Sequence, residues 1–190
     1  MTEAPVRADA RRNRDRLLAA AREVVAEQGT DASLRDVARR AGVGIGTLYR
    51  HFGTREALLE ALLQDRFERL GARADELGDR PPYEAVTTWL RELATASAAT
   101  RGLPDAVLAA LRDRGSALHG ACDAMRSAGA RLLDRAQSAG VVRSDLTPSD
   151  LLALASGLAW ASGYAEEPQA RLDRLFGVFE TGLSGQNPES

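Results

Sequence analysis

Residues 33–52, SLRDVARRAGVGIGTLYRHF, place a helical pattern of about two turns, a glycine and a second short helix in one uninterrupted run. Helices this short are marginal alone, because each must repay a nucleation cost with few hydrogen bonds, so packing has to hold them. The spacing indicates how. Ser33 followed by Asp36 starts the first helix in the manner of a capping box, and Gly42 supplies the left-handed residue that stops it. Ala38 is small where two helices cross closely, and Leu48 turns an apolar side chain back to the core. Small, glycine and large apolar at those offsets form a helix-turn-helix pattern. Thr47, Arg50 and His51 fall on the outer face, with Arg35 of the first helix nearby, as a helix lying in a major groove requires.

The same helical period continues along the chain, and no segment sustains the alternation of a strand. The fold class is therefore all-α with about nine helices: a helix-turn-helix head over 1–54 and a C-terminal helical domain over 55–190. Leu17, Leu18, Ala21, Val24 and Val25 mark the first helix, stopped by Gly29. Two short helices over about 34–41 and 45–52 precede a longer one running to about Gly78. Pro81 and Pro82 break the chain, a fifth helix ends near Gly102, and Pro104 opens a sixth that stops by Gly115. The seventh ends at Gly140. Thr147, Pro148 and Asp150 cap the eighth, which reaches about Gly163, and the ninth follows Pro168. The tail SGQNPES is expected to be disordered.

With 190 residues and a single cysteine, Cys122, the chain can bury a core but has no disulfide framework, which fits a reducing cytoplasm. Its longest near-apolar stretch, residues 151–164, is too short to span a bilayer. Charge is informative by position. Residues 1–55 hold 11 Arg against 7 acidic residues, whereas residues 56–190 hold 14 against 20. A basic head on an acidic body suggests that one end meets a polyanion. All 25 basic residues are Arg, so their abundance reflects base composition and only their placement carries meaning.

The run SLRDVARRAGVGIGTLYRHFGTREALLEALL resembles the DNA-binding region of the TetR family of bacterial transcriptional regulators, a likeness that is close over about residues 13–66. What the resemblance implies is a homodimeric, cytoplasmic repressor released from a palindromic double-stranded DNA operator by a small-molecule effector, with no cofactor and no membrane partner. Gly44, Ile45, Gly46 and Thr47 would open the recognition helix, their backbone N–H groups approaching phosphates and base edges. Tyr49 and His51 match phosphate-contacting positions, as Arg55 does where the family usually has Lys. Ser33 and Arg50 join this set, and Arg35 is the best base contact, bidentate to guanine. Gly44 departs from a common Ser, and Gly53-Thr54 from a common Pro-Ser. Arg11, Arg12, Arg14 and Arg16 would make a minor-groove arm or a disordered basic tail.

No other constellation carries chemistry. Gly42, Gly44 and Gly46 follow no strand and lack the final glycine of a dinucleotide motif. His119 and Cys122 could meet one metal but have no third ligand, and no nucleophile has an oriented base, so neither a metal site nor a catalytic set is expected. Ala153, Gly157 and Ala161 form a small-residue strip that, with Leu172, Leu175, Phe176 and Phe179, suits an intersubunit four-helix bundle. The family layout places the effector among Phe67, Trp89, Leu93, Leu108, Leu111, His119, Cys122, Met125 and Trp160. Two other classes stay open on the sequence: a helical enzyme, which would turn over a bound compound, and a nucleoid protein that binds DNA without preference.

Overall fold

The computed structural model describes residues 3–98 and 103–184. Through these residues run nine helices: α1 (Glu3–Gln28), α2 (Leu34–Arg40), α3 (Ile45–Phe52), α4 (Arg55–Glu76), α5 (Pro82–Ala98), α6 (Asp105–Arg112), α7 (Ala117–Ser138), α8 (Pro148–Ser162) and α9 (Pro168–Leu183). A lone antiparallel bridge joins Val142 to Ser184. The chain is all-α, as its periodicity requires. No described helix is long and apolar enough to cross a membrane. The remainder of the tail, 185–190, lies outside the described residues, as does the side chain of Arg11.

Two compact units form. One comprises the described residues up to Asp65 with those from 103 to His119, the other Arg66–Ala98 and the described residues from Gly120 onward. The boundary between the units lies within α4, between Asp65 and Arg66, so the head expected over 1–54 continues into the start of α4.

In the first unit, Leu17, Ala21 and Val24 of α1, Val37 and Ala38 of α2, Leu48 and Phe52 of α3, and Leu58 and Leu62 of α4 are buried. Burial of the Leu, Val and Phe side chains among them stabilises by about 1.5–3 kcal/mol each relative to exposure, which is what holds helices as short as α2 and α3. Two turns need glycine. Gly42 (φ +69°) and Gly53 (φ +67°) sit in left-handed conformations that follow α2 and end α3. Around Gly42, the amides of Ala41, Gly42 and Val43 donate to Val37 O, Arg39 O and Ala38 O at 2.9–3.1 Å, which satisfies carbonyls of the last turn of α2. Arg40 grips Glu27 through two hydrogen bonds of 2.7 and 2.9 Å, and Arg22 meets Asp65 at 2.8 Å, pairs that tie α2 and α4 to α1. The basic N-terminal stretch is helical rather than a disordered tail. Arg12 pairs with Asp9 one turn earlier, and Arg14 lies over the Phe52 ring at 5.8 Å.

The second unit is built around Trp89 and Phe176, both essentially buried. The Trp89 indole donates Nε1–H to Leu70 O of α4 at 2.8 Å. Tyr83 donates its hydroxyl to Glu180 O at 2.8 Å, and Arg91 covers the Phe176 ring at 4.5 Å while pairing with Glu180 at 3.0 Å, which together bind α5 to α9. At the start of α8, Thr147 and Asp150 form a complete reciprocal capping box. Ser33 caps α2 in part only: it accepts from the Asp36 amide at 3.3 Å, while its own amide donates to Gln28 Oε1 at 3.1 Å instead of to Asp36.

Candidate nucleic-acid interface

The outer face of α3 follows from which residues its packing consumes. Leu48 and Phe52 turn inward, and on a 3.6-residue period this leaves Ile45, Gly46, Tyr49 and Arg50 as one exposed arc. Arg35 of α2 is also exposed. Thr47 and His51, expected on the outer face, are half-buried because they flank the opposite edge of the buried stripe. Ser33 is half-buried too, its hydroxyl occupied as the α2 cap.

Gly44 and Gly46 are glycines the fold does not require. Neither has a left-handed backbone, and a Cβ placed on either meets nothing within 4 Å. Their smallness leaves the start of α3 bare on its outer side, where its first amides have no intrahelical acceptor. Gly53 hands the chain on to Thr54, whose hydroxyl accepts from the Ala57 amide at 3.1 Å and caps α4. Arg55, the first residue of α4, is half-buried and lies 3.5 Å from the fully exposed Asp31. Two other cations near this face are occupied: Arg39 by Asp36 at 2.8 Å and Arg40 by Glu27. The Asp36 carboxyl is held below its usual value chiefly by the hydrogen bond from Gln28, with Arg39 second, and the Glu27 carboxyl by Arg40.

The predicted ligand residues are shared between the two units. Trp89, Leu93 and Met125 are buried in the second unit's core, with Phe67 and Cys122 packed against it. Burial pushes the Cys122 thiol up. Leu108, Leu111 and His119 belong to the first unit, where His119 Nδ1 lies 2.9 Å from Leu111 O. Trp160 is a correction. It is 61% exposed, edge-on to Tyr164 at 5.1 Å, because the helical period turns it away from Leu151, Ala155 and Ala159, which face the core. A small depression of about 10 Å³, room for no more than a water, lies in the second unit between α5, α7 and the start of α8, lined by Val86, Trp89, Leu90, Leu133 and Leu151 with Arg126 among them. Of the predicted set only Trp89 lines it.

The predicted dimer residues divide similarly. Ala153 and Gly157 are exposed and Ala161, Leu175 and Phe179 half-buried, but Leu172 and Phe176 are buried at 2% and 0% exposure in the chain's own core. A stripe that fills the core has no surface left for a partner. The exposed large apolar residues in α8, α9 and the turn between them are Leu154, Trp160, Tyr164 and Val178, all on faces turned from that core. Leu154 and Trp160, six residues and about a third of a turn apart on α8, share no helical i, i+3, i+4 pattern, so they, like Val178, stand out only once the helices are packed.

A helix-turn-helix with an open recognition face, continued by an unbroken α4 into a second helical unit, defines the class of helical transcriptional regulators. Comparison with known proteins gives the family. Residues 17–62 match the bacterial regulatory proteins of the tetR family, and residues 81–185 match the C-terminal domain of SbtR-like transcriptional regulators. This chain belongs to the TetR family of bacterial transcriptional regulators. It is similar to a TetR transcriptional regulator of Streptomyces coelicolor, at 38% identity over 92% of this chain and 99% of that one with a TM-score of 0.75. A TetR regulatory protein of Mycobacterium vanbaalenii is 36% identical over 95% and 99% of the two chains, with a TM-score of 0.71. The repressor KstR of Mycolicibacterium smegmatis is 36% identical over 86 residues, which is 44% of this chain and 42% of KstR. The match thus spans less than half the length of that relative.

Proposed function

We propose that this chain is a homodimeric repressor that binds a palindromic operator through α2 and α3 and leaves it when a small apolar molecule binds the second unit. The observation that carries the DNA-binding half is the exposed arc of α3, flanked by glycines that packing does not demand. Backbone amides of residues 44–46 and the Tyr49 hydroxyl would meet phosphates, the Thr47 amide being spent on Gly44 O, with Arg55 as the anchor at the start of α4. Arg35 and Arg50 would supply hydrogen bonds to base edges. The sign of regulation follows the name of the repressor relative. A cytoplasmic location accords with this role.

Two surfaces support the rest. The depression beside Trp89 is apolar with one guanidinium among its lining residues, and at about 10 Å³ it would have to open around Trp89 to admit a small, mainly apolar effector. Leu154, Trp160, Tyr164 and Val178 would be covered by the same surface of a second copy, as isologous contact requires. An effector that displaces Trp89 would break its hydrogen bond to Leu70, and Leu70 belongs to the helix that starts at Arg55. Repositioning α4 would change the spacing of the two recognition helices, which must match half-sites roughly 35 Å apart. Such couplings are usually about 1–3 kcal/mol.

The test is selection of binding sites from a random duplex library, followed by salt titration of the winner. The expected result is a palindrome bound at least ~10³-fold above random DNA, with a log–log salt slope near −7 to −9 for about 8–10 phosphates per dimer. Absence of enrichment with a shallow slope would overturn the proposal.

A further inference from the structure

Resting on the reading of α3 as a major-groove helix, we propose that Ile45 is a specificity residue that reads thymine, its side chain packing on the C5-methyl of one thymine in each half-site. Ile45 is 37% exposed at the first turn of α3, whereas Leu48 and Phe52 on the same helix are at 0% and 7%. A branched alkyl side chain can neither donate nor accept a hydrogen bond, so it cannot answer the polar edges of guanine, adenine or cytosine. In the major groove the apolar feature that distinguishes one base is the thymine methyl. Gly44 and Gly46 stand on either side with open space around their Cα atoms, so neither neighbour carries a side chain that would hold a base away from Ile45. Arg50, on the same arc, remains to make polar contacts to an adjoining pair.

The alternative use of an exposed isoleucine on this face, packing on deoxyribose, would be blind to sequence, and the two separate cleanly. A site selected by the full-length protein is resynthesised with each thymine replaced in turn by deoxyuridine, which removes only the methyl. The expected result is one thymine per half-site where this lowers affinity about fourfold, the effect of one buried methyl-sized group. Ile45→Ala should bind the thymine and uracil forms equally and, in a fresh selection, lose its preference at that position alone. Ile45→Val, which keeps a branched apolar tip, should retain the discrimination, and equal helicity of all three proteins by circular dichroism checks that the fold is intact. A selected site indifferent to every methyl overturns the inference and leaves the proposed function standing, as does a methyl effect that Ile45→Ala retains in full or an Ile45→Ala defect equal on all sequences. No selected site at all overturns both.

Discussion

The indole of Trp89 occupies the space in which a side chain at position 129 would begin. A Cβ on Gly129 would lie 2.3 Å from Cη2 of Trp89, closer than any real contact, and the same indole holds Leu70 O through Nε1. The two residues are therefore one design feature: α7 gives up a side chain so that α5 can bury its largest.

Gly129→Ala should destabilise by about 1–3 kcal/mol through overpacking, and Trp89→Ala by about 3–5 kcal/mol through the void it leaves. Because they touch, the effects should not add. Denaturant unfolding of Gly129→Ala in a Trp89→Leu background should show a smaller loss than in the native one, and equal losses would refute the pairing.

Asp31 sits 3.5 Å from the Arg55 guanidinium, on the side chain proposed to anchor a phosphate. Asp31→Asn should free that cation and remove a repelling charge, tightening DNA binding at all sequences up to about fivefold, the scale of an exposed pair of about 0–1 kcal/mol. Arg55→Ala should weaken all sequences alike, whereas Arg35→Ala should relax choice at one base pair. Binding isotherms on selected and random duplexes distinguish these outcomes.

Four carboxyls, Glu27, Asp36, Asp145 and Asp150, are held below their ordinary values by hydrogen bonds from Arg40, Gln28, Arg143 and Thr147 respectively. A carboxyl whose folded value is depressed favours the native state at pH above its unfolded value, and that contribution is lost as pH falls below it. Stability should therefore be flat near neutrality and fall on acidification through the ordinary values of 4.5 for Glu27 and 3.8 for the aspartates. Asp150→Asn should make that fall shallower in denaturant titrations at stepped pH. Thr147→Ala, which removes the α8 cap, should cost about 1 kcal/mol.

Trp160 and Phe176 should respond in opposite ways to truncation. Trp160→Ser removes an exposed ring and should shift a dimer toward monomer in analytical ultracentrifugation with little loss of helicity. Phe176→Ala empties the core and should cost about 3–5 kcal/mol. A dimer unaffected by Trp160→Ser and Tyr164→Ser together would remove this surface from the interface.

Much of this was legible in the residues themselves. Helical period, the helix-stopping glycines at 29, 42 and 140, and the Thr147–Asp150 cap are local signals, and each appears where its chemistry puts it. The helix-turn-helix belongs to that class, because Ala38, Gly42 and Leu48 are constrained by neighbours close in sequence. The period alone also implied which residues of α3 pack inward, though not that Thr47 and His51 would be half-covered.

What only the tertiary structure decided was which apolar side chains are spent inside. An apolar stripe states that a helix must be covered, not by what. α9 spends Leu172 and Phe176 on α5 and α8 of its own chain, while α8 leaves Trp160 outside and α5 turns Trp89 in. The charged start of α1 is a second case: its helix is supported by Asp9 on Arg12 and by the Phe52 ring under Arg14, and the second of these is supplied by α3, distant in sequence. Local physics sets the helices, whereas the choice of faces depends on contacts between residues far apart in the chain.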